Sequence, residues 1–68
     1  MEENKQYIVQ YNLADGSSVY HSTLKGDFYP RTEREFATVF SGKKYAEREA
    51  DKIMEREKDV VCYSVQEA

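Results

Sequence analysis

Cysteine, histidine and proline occur once each, tryptophan not at all and glycine three times. Each scarcity excludes something. A single cysteine cannot close an intrachain disulfide, and an unpaired thiol suits a reducing cytoplasm. Cys62 and His21 together fall short of any zinc-ligand spacing, so no metal is expected. Gly16, Gly26 and Gly42 are too scattered to form a phosphate-cradling loop, and no cofactor is expected. No apolar run approaches the ~18 residues of a membrane span, and MEENKQY lacks the basic and apolar regions of a signal peptide. The expectation is a cytoplasmic chain without membrane contact.

Charge of one sign is also missing. The net charge is −3, and eight basic and eight acidic side chains interleave between Arg31 and Asp59. Nucleic-acid binders gather Lys and Arg on one face, because phosphate contacts carry most of the affinity. The totals here show no such bias, so nucleic acid is a disfavoured partner. What the chain does have is aromatic side chains, 13% of its residues and mostly tyrosine. That content points to a folded domain rather than a disordered one. At 68 residues it is a single small domain, burying about 60% of the surface its unfolded form exposes.

Residues 6–13 alternate in period two, with Tyr7, Val9, Tyr11 and Leu13 on one face, and read as a half-buried strand. Asp15-Gly16 suits a two-residue type I′ turn, and residues 17–24 read as the returning strand. With that turn Tyr11 pairs with Tyr20 and Tyr7 with Leu24, and His21 faces away from the apolar side. Residues 34–40 are rich in aromatic and β-branched side chains and read as a third strand, with Phe36, Thr38 and Phe40 on one face. Ser41 is a candidate N-cap for a helix over 42–58, whose Ala46, Ala50, Ile53 and Met54 and the stem of Glu57 share a narrow face. Residues 60–66 form a last strand, apolar on both faces and therefore expected in the sheet interior. The fold class is α+β in two layers, one helix on a mainly antiparallel four-stranded sheet, in the order β-β-β-α-β. The first and last strands are expected side by side.

On the helix, Lys44, Arg48, Lys52 and Arg56 form one column, and Glu47, Asp51, Glu55 and Asp59 form another. Each base precedes an acid by three residues, so the preferred reading is a solvated face whose columns neutralise each other at ~0.2–0.5 kcal/mol per pair. His21 reads as a surface residue, and Cys62 as a small buried apolar one. No nucleophile–base pair is supported, and no enzymatic activity is expected.

The stretch KGDFYPRTERE, residues 25–35, is longer than a hairpin needs. Phe28 is expected to tuck beneath it while Tyr29, Arg31 and Arg34 project outward. Tyr and Arg are the side chains most enriched at binding hot spots. Phe28, Tyr29, Arg31 and Arg34 are therefore the candidate partner-binding residues, with Lys44, Arg48, Lys52 and Arg56 as a secondary set.

Between Ala37 and Val65, the run ATVFS, the Ala46-x-x-x-Ala50 spacing, Ile53 and the closing VVCYSV resemble small uncharacterised proteins encoded in phages and prophages of Gram-positive bacteria. The resemblance implies an accessory role and assigns no catalytic residue. The function expected is a non-enzymatic protein–protein interaction module, acting through the 25–35 loop or a sheet edge and able to form homo-oligomers through that edge. The alternative is a weak nucleic-acid-binding module using Lys25, Arg31, Arg34 and the helix bases.

Overall fold

A computed structural model of the chain describes residues 5–24 and 27–68. In chain order it contains β1 (Tyr7–Leu13), β2 (Ser18–Tyr20), a short ribbon of β3 (Thr23–Leu24) and β4 (Asp27–Phe28), a 3-10 turn (Arg34–Phe36), helix α1 (Lys43–Arg56) and β5 (Val60–Glu67). The architecture is α+β, with α1 packed on a three-stranded antiparallel sheet ordered β2-β1-β5. Among the described residues no helix is long and apolar enough to cross a membrane.

The core is the face that strand alternation dictates. Val9, Tyr11, Phe40, Ala46, Ala50, Ile53 and Val60 are buried together, with Tyr7, Leu13, Met54, Tyr63 and Val65 packed around them. Ala46 and Ala50 are fully buried, so only methyl groups separate α1 from the sheet along that line. Gly42, rather than Ser41, occupies the N-cap position, and no side chain caps the helix.

The first hairpin departs from expectation by one residue. The Gly16 amide donates to the Leu13 carbonyl at 3.0 Å and the Leu13 amide to Ser17 at 2.8 Å, closing a three-residue loop. Gly16 has φ of 93°, as a type I turn followed by a left-handed residue requires. The Ser17 hydroxyl and amide both donate to the Asp15 carboxylate, at 2.6 and 2.9 Å, and hold its carboxyl below the usual range. Tyr11 consequently pairs with Val19, and Tyr20 with Gln10. Because side chains alternate, that slip turns Tyr20 away from the helix and turns His21 into the core.

Residues 34–40 do not form a strand. The Phe36 amide bonds to Glu33 at 3.1 Å and the Ala37 amide to Arg34 at 3.0 Å, so local bonds replace ladder bonds. The segment that follows wedges between the diverging ends of β1 and β2. Phe40 exchanges both backbone bonds with Tyr7, and the Thr38 amide donates to the His21 carbonyl. The place beside β2 is taken instead by residues 29–31, whose backbone pairs with Ser22 and Tyr20. Pro30 falls between those pairs, so its missing donor costs the ladder nothing.

β5 does lie beside β1, but at the edge of the sheet rather than inside it. The register shifts between Asn12 and Leu13, opposite Val60 and Cys62. Val61 is the extra residue of this bulge and is 60% exposed, while Val60 stays in the core. Cys62 is exposed rather than buried, its Sγ accepting from Asn12.

The two described glycines should respond oppositely to substitution. At each, the place a Cβ would take has no atom within 4 Å, so backbone conformation decides. Gly16→Ala is expected to lose about 1 kcal/mol, because an L side chain resists positive φ. Gly42→Asp is expected to gain roughly 0.5–1 kcal/mol by capping α1 and opposing its dipole. Urea denaturation of both variants checks the signs.

Candidate functional site

Two arrangements stand out, one on each face of the sheet. On the helix side, His21 is 3% exposed. Its ring lies 5.2 Å from those of Phe28 and Phe40 and 5.7 Å from that of Tyr11, centre to centre. Its Nδ1 is 2.5 Å from the Tyr11 hydroxyl. With the ring neutral and its proton on Nε2, Nδ1 accepts from the phenol. Burial lowers the His21 pKa, and the nearby charge of Glu49 opposes that shift in part. Burial first, then Glu49 and Tyr63, raises that of Tyr11. Both groups are thereby held uncharged, and each satisfies the other's polar atom in the core.

Of the sequence-predicted binding residues, Tyr29 and Arg31 meet on the outer face, where Phe36 joins them. Phe28 packs inward, edge-on to Tyr11 at 5.7 Å. Tyr29 and Arg31 pair with Ser22 and Tyr20, positions that alternate with His21 and therefore face away from α1. The Arg31 guanidinium sits 4.4 Å above the Phe36 ring and 5.6 Å from that of Tyr29. It also lies 3.9 Å from the Glu33 carboxylate. Tyr29, Phe36 and Val39 are each nearly half exposed. Beside them a shallow groove of about 690 Å³ has Ile8, Ala37 and Val39 among its walls.

Arg34 leaves this cluster and donates to the Glu67 carbonyl at 3.0 Å. Lys25 lies outside the described residues. Phe36 belongs to the patch, although its sequence context places it in a strand. The cue to its exposure is the charged run Arg31–Glu35 before it, which fits an exposed turn better than a sheet.

Lys44, Arg48, Lys52 and Arg56 are all exposed on α1. Lys52 pairs with Glu49, three residues earlier, at 3.4 Å. The expected pairing of each base with the acid three residues later is absent among the described residues. This column and Arg31 lie on opposite sides of the sheet and do not form one stripe. Cys62 alternates with Tyr63, which faces the core, so the sheet separates it from His21. Among the described residues no three His, Cys, Asp or Glu side chains stand close enough to hold a metal.

No family model, curated protein or solved structure matches the chain.

His21 makes stability depend on pH. Its pKa is lowered from 6.5 in the folded chain, so the unfolded chain binds the extra proton first. The His21 contribution is complete above pH 6.5 and falls away as pH drops toward the folded-state pKa. Denaturation between about pH 7 and 5.5 should show this decline, and His21→Gln should flatten it.

Proposed function

We propose that the chain is a non-enzymatic interaction module whose outer sheet face docks on another protein. The reading is carried by one observation: Arg31 is stacked on Phe36 beside Tyr29, with both rings nearly half exposed. A stacked guanidinium is already ordered, so less side-chain entropy is lost when a partner covers it. Aromatic and arginine side chains of this kind dominate hot spots. The groove next to them, walled by Ile8, Ala37 and Val39 together with Glu33, Arg34 and Glu35, is large enough to take several partner side chains. An accessory role of the kind implied by the phage-protein resemblance is compatible with such a surface.

Nucleic-acid binding is the second reading, favoured by the exposure of Lys44, Arg48 and Arg56 without an ion-pair partner among the described residues. Against it, Arg31 lies beside Glu33, and Arg34 is engaged by a backbone carbonyl. The two readings part on salt, since phosphate binding weakens steeply as salt rises.

Affinity capture from cells, with wild type and a Tyr29→Ala/Phe36→Ala variant compared, tests the proposal. The variant should lose no more than about 2 kcal/mol of stability, since each ring is only half-buried. Its affinity for the captured protein should fall roughly tenfold or more. Equal capture by both chains refutes the outer-face reading. A shift of labelled DNA or RNA at low salt, lost with the helix bases, would favour the second.

A further inference from the structure

The two sides of the sheet end differently. Beyond β2 the 29–31 segment closes the sheet with Pro30, which has no amide to offer. Beyond β5 no strand lies alongside among the described residues.

The backbone groups facing outward from β5 follow from the ladder. The Tyr7 amide donates to Phe40, the His21 amide donates to Val9, and the Leu13 amide donates to Ser17. The odd residues of β1 thus point toward β2, and the even ones toward β5. Gln66, Ser64 and Cys62 pair with Ile8, Gln10 and Asn12, so they use their backbone groups inward. Tyr63, Val65 and Glu67 direct theirs outward. Arg34 caps the Glu67 carbonyl, and the Val61 bulge interrupts the other end. Between them the groups of Tyr63 and Val65 have no partner among the described residues.

An acidic column borders the middle of this window, with the Arg34 guanidinium at its end. The Tyr63 hydroxyl donates to Asp51 at 3.1 Å, which places the acidic column of α1 next to β5. Glu47 lies one turn before Asp51 and Glu55 one turn after it. Among the described residues none of the three forms a salt bridge, whereas Lys5 at the far end is paired with Glu67 at 3.2 Å.

We infer that the β5 edge accepts an extended segment of another protein as an added strand, and that this segment carries lysine or arginine at alternate positions facing Glu47 and Asp51. Backbone bonds to Tyr63 and Val65 supply the attachment, and the acidic column selects basic side chains. A second copy is a poor occupant. Two β5 strands related by a two-fold axis would bring both acidic columns against each other, and like charges oppose that pairing. This surface is distinct from the Tyr29–Arg31–Phe36 patch and does not depend on it.

The test uses the full chain and a short capped peptide alternating lysine with threonine, with amide hydrogen exchange read by NMR. In the free protein the Tyr63 and Val65 amides should exchange faster than those of Ser64 and Gln66. Saturating peptide should slow the first pair roughly tenfold and leave the second pair unchanged. The same peptide with glutamate for lysine should do nothing. A synthetic chain N-methylated at Val65 should fold, because its inward ladder is intact, and lose the peptide. Glu47→Gln/Asp51→Asn should bind the peptide roughly fivefold more weakly at low salt. Absence of protection, equal protection by the glutamate peptide, or concentration-dependent protection that marks a second copy overturns the inference. Phe36→Ala should leave every one of these readings unchanged, so the outer-face proposal can fail separately.

Discussion

The bond from the Gly16 amide to the Leu13 carbonyl closes a loop of three residues where two would have sufficed, and that single residue decides what each face of the sheet holds. It sets Val19 rather than Tyr20 opposite Tyr11. His21 then enters the core and finds the Tyr11 hydroxyl. The next ribbon inherits the same parity: Phe28 falls inside, Tyr29 and Arg31 outside. A left-handed glycine at a loop tip thus lies upstream of both the buried polar pair and the exposed stacked cation.

Much of this was legible in the residues, and what was not has a physical cause. The spacing of Ala46, Ala50 and Ile53 locates the helix face because only one stripe of α1 can touch a sheet. The alternation of Tyr7, Val9 and Tyr11 locates the core side of β1. The register was illegible because Asp15-Gly16 suits two turns, a tight one with positive φ at both residues and a wider one needing it only at Gly16. Composition favoured the tight turn by placing Tyr20 inside. The energetic fact it could not display is that a buried histidine is acceptable when a phenol satisfies it. Residues 34–40 misled for a related reason. Phe36, Thr38 and Phe40 do alternate, but a period of two describes only which side chains share a face and says nothing of whether backbone partners are within reach. Of the binding candidates, Phe28 and Tyr29 sort inward and outward as the sequence suggests, while the role of Arg34 depends on a carbonyl thirty-three residues away.

The layers divide the work of the molecule. The helix covers one side of the sheet with alanines, leaving the small core dependent on aromatic contacts between Tyr11, His21, Phe28 and Phe40. The other side is only partly covered: Ile8 is buried there, while Gln66 bonds to Gln10 at 2.6 Å and keeps the strands' outer surface polar. Apolar side chains then gather at one corner of that surface instead of spreading across it, an arrangement that suits recognition better than it suits the stability of so short a chain.

The wedge formed by Thr38 and Phe40 bears on the order in which the chain assembles. Joining Leu13 to Ser17 closes a loop of a few residues, whereas joining Tyr7 to Phe40 closes one about ten times longer, at an extra entropic cost of roughly 2 kcal/mol. The first hairpin is therefore easy to nucleate, while the fork between its strands stays open, with the His21 carbonyl bare, until a distant stretch arrives to fill it. The stretch between the ribbon and the helix thus completes a sheet that the hairpin alone leaves unfinished.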